Sequence, residues 1–356
     1  MPENRSVLTD DFGLLDVIMR GAGAASGHYR PGPYWLSKSR AAYREIKKYG
    51  IGDFRGFSNN IGASYSDGAY IDVRGHYNYG IRRPLSFLSR KVLPFSRIFD
   101  AQVRLTKNRF LETVRYKNTI ANESAEIRNL IGKYKIPQDS IRGGCMDYSS
   151  LDGVRLSNHY LELLKTHDIL TRNVDFSSIR TFFEIGGGFG VNTHLLVENY
   201  ENIRKVVYLD IPPNLYVGTQ YLKSFFGDQV RTYADTKDLE KIQFSPTDEL
   251  EIICIAPQQI EQLDVEIDLF QNSHSFVEMT KEIVENYAKH IERMMRKDHS
   301  TVALVTYEVA DGFDKIDHRE LTGFFPREFL TEEDHALWAP ETRNYYFVSS
   351  PLTPAQ

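Results

Sequence analysis

Residues 181–196 read TFFEIGGGFGVNTHLL, and this stretch decides the fold. TFFEI is an apolar, aromatic run of strand length, and VNTHLL opens a segment of helical character. Between them stand Gly186, Gly187, Gly188 and Gly190. Ordered glycine costs backbone entropy, so this density implies a tight turn or something very close to the backbone. Strand, glycine turn and helix together make the first half of a βαβ unit.

The sequence on the C-terminal side repeats that alternation. KVVYLDI (205–211) reads as a strand and NLYVGTQYLKSFF (214–226) as a helix. QVRTY (229–233), LEIICIA (250–256) and IDLFQNS (267–273) read as strands. KEIVENYAKHIERMMRK (281–297) places Ile283, Tyr287, Ile291 and Met294 on one helix face. TVALVTYEV (301–309) and NYYFVSS (344–350) are further strands. Alternating strands and helices predict an α/β fold with a parallel sheet and right-handed crossovers. Residues 175–356 are therefore expected to form a Rossmann-like domain. The surplus strand between the usual third and fourth departs from the simplest version of that fold.

Residues 1–174 read differently, as a mainly helical cap. SKSRAAYREIKKYG (37–50) has a Ser start, a basic last turn and Gly50 as a stop. Phe99, Val103, Phe110 and Val114 suggest helix across 96–132, and RLSNHYLELLKTHDIL (155–170) is another helix. Residues 51–95, rich in Gly, Tyr, Arg and Asn, read as an ordered loop.

Composition narrows the class. The chain has 356 residues, 41% hydrophobic and 26% charged, as in soluble globular proteins. A net charge of −5 gives no global attraction to nucleic acid or anionic membrane. Cys145 and Cys254 form no disulfide framework, so a reducing cytoplasm is expected. MPENRSVLTDDFG lacks the basic and apolar regions of a signal peptide, and no apolar run approaches a membrane span.

In a doubly wound sheet the first strand–helix turn is the ligand site. The dinucleotide pattern G-x-G-x-x-G/A fails here, because Val191 occupies its last position. The spacing acid-x-G-x-G-x-G fits, with Glu184, Gly186, Gly188 and Gly190. Asp210 ends the next strand, where a carboxylate can accept both hydroxyls of a ribose. A tight turn and a strand-ending cap would account for either feature alone; the two together favour a nucleoside.

The acid-glycine pattern resembles motif I of class I S-adenosylmethionine-dependent methyltransferases. That resemblance implies S-adenosylmethionine as cofactor, with Glu184 near its cationic amino-acid end. Gly186, Gly187, Gly188 and Gly190 would pass against its methionine and ribose portions, with Asp210 and Ile211 beside the ribose. For the adenine, Asp235 and Gln258 stand as alternatives. FEIGGGFG, LDIPPNLYVGTQYL and DLFQNSHSFVEM together resemble a bacterial family of sugar O-methyltransferases, over roughly residues 180–310. PGPYWLSKSR and RLSNHYLELL look like that family's helical region. The resemblance implies a sugar or glycoside acceptor from a polysaccharide or natural-product pathway. It is compatible with an oligomer of identical chains and calls for no nucleic acid.

In that fold the fourth strand ends beside the transferred methyl group, which would place Asn272 and Ser273 at the cofactor and His274 at the reacting oxygen. A sugar hydroxyl is a poor acid, so a base is expected there. His274 is the expected base, with Glu278 orienting its imidazole from one turn further on. Asp264, Glu266 and Asp268 face one side of a strand, which suits a solvated strand entry better than a metal, and no metal is assigned. His159 reads as a packing histidine. Arg55, Arg74, Arg82 and Arg83 among Tyr65, Tyr70, Tyr77 and Tyr79 suit a sugar or phosphosugar, or a charged cap surface. An amine, phenol or peptide acceptor, a nicotinamide dehydrogenase and a non-catalytic binding protein are the rival readings.

Overall fold

The computed structural model describes residues 8–25, 27–52, 54–57, 111–136, 141–296, 299–307, 316–338 and 340–349. The chain divides into two compact units. One comprises Met1–Ser37, Tyr134–Pro137 and Glu162–Gln356, the other Lys38–Lys133 and Gln138–Leu161.

The first unit is an α/β sheet structure of Rossmann-like order. Its strands are β3 (Thr181–Ile185), β4 (Lys205–Leu209), β5 (Val230–Arg231), β6 (Glu251–Ile255), β7 (Leu269–Ser273), β8 (Thr301–Tyr307), β9 (Phe329–His335) and β10 (Arg343–Ser349). The spatial order is β5-β6-β4-β3-β7-β8-β10-β9. β3 to β8 pair in parallel; β10 inserts antiparallel between β8 and β9. The surplus strand resolves as β5, a two-residue piece at the sheet edge outside β6. All five residues of β3 and of β6 are buried, as strands covered on both faces must be.

Helices cover the sheet. α1 (Phe12–Ala24) and the first turns of α2 (Pro33–Tyr49) come from the N-terminal segment. α5 (Val191–Asn199), α6 (Asn214–Phe226) and α7 (Lys281–Met294) follow β3, β4 and β7. α7 buries Val284, Tyr287, Ala288, Ile291 and Met294 in a core with Phe183, Val207, Ile253, Phe270 and Val302. Ile283 lies at the margin of that face, half-buried. Each large side chain removed from water in this layer contributes roughly 1.5 to 3 kcal/mol. Asp268 pins the start of the central strands: its carboxylate accepts the N–H groups of Arg180 and Thr181, each at 2.9 Å, and faces Arg296 at 3.2 Å.

The second unit holds the helices α3 (Ala125–Lys133) and residues 111–123, with a hairpin of β1 (Tyr148–Leu151) and β2 (Val154–Ser157). α4 (Asn158–Leu170) begins in it and ends in the first. A buried ion pair of Lys117 and Asp147, 2.9 Å apart, is completed by Asn158, whose amide donates to Asp147 at 2.7 Å. Among the described residues no helix is long and apolar enough to cross a membrane.

Candidate functional site

The glycine turn is fastened to the end of the neighbouring strand. Gly186 donates its N–H to the Leu209 carbonyl at 2.8 Å, which extends the β3–β4 ladder past the end of β3. Gly188 donates its N–H to Asp210 Oδ2 at 2.8 Å, and the Tyr208 hydroxyl donates to the Gly188 carbonyl. Asp210 Oδ1 accepts the Ile211 N–H at 2.7 Å.

Protein atoms explain why the turn needs glycine. At Gly186 (φ +75°) a Cβ would stand 2.3 Å from Ser275 Oγ. At Gly190 (φ +85°), the residue before α5, it would stand 2.9 Å from Leu222 Cγ. At Gly187 it would meet Glu184 Oε2 at 2.6 Å. The turn therefore lets three neighbouring elements close on one another, whatever ligand lies beside it.

Two buried carboxyls flank the turn. Glu184, 2% exposed, accepts from Asn192 Nδ2 at 2.8 Å and from Thr193 Oγ1 at 2.9 Å, both in the first turn of α5. Burial outweighs those donors and pushes its carboxyl up to about 7. Asp210, 5% exposed, is also pushed up to about 7. Burial is again the main cause, the Ile211 and Gly188 N–H groups oppose it, and the charge of Glu184 adds to it.

At the carboxyl end of β7, Asn272 is a buried tie. Its amide donates to the Ile185 carbonyl at 2.8 Å and to Ser275 Oγ at 2.6 Å, and its Oδ1 accepts the Phe276 N–H at 3.1 Å. Ser273 Oγ accepts from Gln271 Nε2 at 3.1 Å. His274 has φ +70°, and its N–H reaches the Val305 carbonyl at 2.7 Å. Its imidazole stands edge-to-face with the Tyr307 ring, centroids 5.4 Å apart. Glu278 accepts from the Trp35 indole N–H at 3.0 Å through Oε2 and from the Tyr307 hydroxyl at 3.2 Å through Oε1. The expected pair of Glu278 and His274 is thus joined by Tyr307, whose ring packs on one and whose hydroxyl bonds the other.

Asp235 and Gln258 separate in role. Asp235 Oδ2 accepts both the N–H and the hydroxyl of Thr232, each at 2.7 Å, closing a cap on the helical turn Tyr233–Thr236. Gln258 follows β6; its side chain pairs with the Tyr233 hydroxyl, while its Oε1 is buried with no hydrogen-bond partner.

The N-terminal segment runs past this side of the sheet. The Asp11 N–H donates to the Tyr216 hydroxyl at 2.9 Å, and Gln220 Nε2 donates to the Thr9 carbonyl at 2.9 Å. Gly21 of α1 lies so close to Tyr233 that a Cβ would stand 2.0 Å from its hydroxyl oxygen. Tyr29 donates to Glu261 Oε1 at 2.8 Å and pairs with His290 Nε2 at 3.1 Å.

The remaining sequence candidates lie elsewhere. Asp264 pairs with Lys241 and Gln243, and Glu266 with Arg296. Among the described residues no group of three or more His, Cys, Asp or Glu could hold a metal ion. In the second unit, burial and then the Arg55 charge lower the His159 imidazole to about 3. Arg55, expected either beside a sugar or on a charged cap surface, is buried at 1% exposure and donates to the Arg142 carbonyl at 3.4 Å. Arg74, Arg82, Arg83, Tyr65, Tyr70, Tyr77, Tyr79, Phe99, Val103 and Phe110 lie outside the described residues.

Trp35, Tyr307 and Ser275 are the site residues that sequence reasoning missed. Tyr307 had a usable signal, since it closes a strand at the carboxyl edge of the parallel sheet. Nothing in PGPYW announces a partner 243 residues away.

No family model matches the chain. Over 148 residues it is 28% identical to the chloroplastic ATP synthase subunit b of Cycas taitungensis, which covers 41% of this chain and 76% of that protein. Among solved structures it is similar to the mitomycin 7-O-methyltransferase MmcR, with 12% identity and a TM-score of 0.37 over 87% of this chain and 84% of that one. It is similar to the pyocyanin biosynthetic protein PhzM, with 13% identity and a TM-score of 0.37, and to PigF solved with SAH, with 14% identity and a TM-score of 0.36. In both of these cases it spans 57% of the other chain, with 54% of its own length covered.

Proposed function

We propose that this protein is an S-adenosylmethionine-dependent O-methyltransferase whose acceptor is a sugar hydroxyl of a polysaccharide precursor or glycosylated natural product. The observation that carries the reading is the bond from Gly188 to Asp210. It joins an acid-glycine turn after β3 to a carboxylate at the end of β4, at the carboxyl edge where such sheets take nucleosides. The sugar class rests on the sequence resemblance of residues 180–310.

The residues fit the cofactor. Asp210 takes backbone N–H groups from Gly188 and Ile211 and a side-chain hydrogen bond from Asn214, and a ribose hydroxyl would join these donors at the same carboxylate. The unpartnered Gln258 Oε1 suits the donor edge of adenine better than Asp235, which is engaged in its cap. Glu184 acts from behind: its bonds to Asn192 and Thr193 set the start of α5 against the turn. Gly186, Gly187, Gly188 and Gly190 shape the backbone that the ligand meets, with Ile211, Asn272 and Ser273 at its margins. When bound, S-adenosylmethionine supplies an electrophilic methyl group. His274 takes the proton from the acceptor hydroxyl, and Glu278 with Tyr307 holds the surroundings of its ring. Free, buried Cys145 and Cys254 suit a reducing cytoplasm.

Calorimetric titration with S-adenosylmethionine, S-adenosylhomocysteine and NAD tests the reading. The first two should bind and NAD should not. Binding of NAD alone would replace the proposal with a dehydrogenase, which Val191, buried at the last fingerprint position, disfavours. Transfer of labelled methyl to a panel of nucleotide sugars and glycosides then tests the acceptor class.

A further inference from the structure

The N-terminal segment passes from one face of the sheet to the other. Val207 and Tyr208, neighbours on β4, point to opposite faces. α6 packs on the Tyr208 side, where a Cβ on its Gly218 would stand 2.1 Å from the Tyr208 hydroxyl oxygen. α7 shares a core with Val207. Thr9 and Asp11 bond to Gln220 and Tyr216 of α6. Gly21 then lies against Tyr233, just beyond β5. Tyr29 reaches Glu261, in the turn Pro257–Gln262 after β6, and His290 of α7. The crossing therefore follows the carboxyl ends of β4, β5 and β6, the edge that carries Asp210 and the glycine turn.

The two ends of the crossing are held differently. α1 buries Leu14, Leu15 and Ile18, whereas the short turn Gly27–Tyr29 buries none of its residues. Tyr29 is half-buried, and its hydroxyl donates to the exposed carboxylate of Glu261 at 2.8 Å. With that proton committed, the hydroxyl oxygen accepts from His290 Nε2 at 3.1 Å. The Tyr29 ring meets Tyr287 edge-to-face, centroids 6.4 Å apart. Tyr287 is buried within electrostatic reach of both Tyr29 and Asp210. Burial pushes its hydroxyl up, and the charges of those two groups add to the effect. Hydrogen bonds that water can reach open more readily than a buried helix face.

We propose that residues 27–32 are a gate at the ribose side of the cofactor site, with the bonds of Tyr29 to Glu261 and His290 as its latch. The nucleoside enters and leaves while the latch is open, and α1 stays docked throughout. The inference rests on the cofactor reading above.

Stopped-flow fluorescence with S-adenosylhomocysteine gives the association and dissociation rates, and calorimetry gives the affinity. Tyr29→Phe keeps the ring and removes the latching hydroxyl. Glu261→Ala removes the carboxylate from an exposed position, where folding should be unaffected. The latch holds the gate shut with or without the nucleoside, so each variant should raise both rates and leave affinity nearly unchanged. The rise should be about tenfold, the weight of one hydrogen bond to a charged group. Amide exchange across 27–32 should quicken in both variants, while that of Leu14 to Ile18 stays as in wild type. A rise in dissociation alone makes Tyr29 a ligand contact and overturns the gate. Binding with both rates unaltered in both variants also overturns it and leaves the cofactor reading intact. Faster exchange throughout α1 overturns the separation of gate from anchor. Absence of calorimetric binding to the wild type overturns the gate and the cofactor reading together.

Discussion

The Gly188 N–H donates to Asp210 Oδ2 at 2.8 Å across 22 positions of sequence, so the glycine turn and the end of β4 are one structural object. A change at Asp210 therefore acts on the protein as well as on a ligand. Asp210→Ala removes the acceptor of two backbone donors and should cost about 1 to 3 kcal/mol of stability. Asp210→Asn keeps one carbonyl acceptor and should cost less. Urea unfolding measures both, and calorimetry should show weaker S-adenosylhomocysteine binding in both.

Glu184 and Asp210 also predict a pH dependence. Both carboxyls are raised to about 7 in the folded chain, mainly by burial. Between the ordinary carboxylate range and that value, the native state holds more protons than the unfolded one. Their contribution to stability is then fully present at low pH and is lost as pH rises toward about 7. Wild type should lose stability between pH 5 and pH 8, conditions chosen to bracket about that range. Glu184→Gln should lose less over the same span. Equal pH slopes for the two proteins would contradict this account.

His274→Ala should lower turnover about a hundred- to ten-thousandfold and leave cofactor affinity nearly intact. Because His274 has φ +70°, alanine also adds backbone strain there. His274→Asn controls for this, since Asn tolerates that conformation. Labelled-methyl assays should show both variants equally impaired. Near-normal turnover in His274→Asn would assign the residue to the turn and remove it from the chemistry.

Gly190→Ala tests the packing account of the glycines. The substitution meets a left-handed φ of +85° and a Leu222 side chain 2.9 Å from the new Cβ. A loss of about 1 to 3 kcal/mol is expected from the strain alone. The urea midpoint should fall without a change of slope.

Much of the sheet was legible because its strands are short, apolar and bounded by glycine or proline. TFFEI and NLYVGTQYLKSFF match β3 and α6 to the residue. QVRTY shrank to Val230–Arg231, because only one neighbour holds that edge. β9, FLTEEDH, escaped notice: Glu332, Glu333 and Asp334 break any apolar alternation, as suits an exposed edge strand. In the site, Asp210 and the glycines could be read because local chain geometry fixes them. The partners of Glu184 and Glu278 could not, since Asn192, Thr193, Trp35 and Tyr307 reach them only through tertiary packing.

The docking of the N-terminal segment also has a consequence for how the chain is made. Asp11 meets Tyr216 across 205 positions, Thr9 meets Gln220 across 211, and Trp35 meets Glu278 across 243. During synthesis this segment leaves the ribosome long before any of its partners. At about 5 to 20 residues per second it waits for ten seconds or more with its apolar face exposed. Its last contact cannot form until β7 has emerged and paired with β3. Contacts of such sequence separation make folding slow and late-locking. The first residues translated are therefore among the last to settle, and a nascent chain ending before Glu278 holds the partners of Thr9, Asp11 and Gly21 but lacks the carboxylate that takes the Trp35 indole N–H.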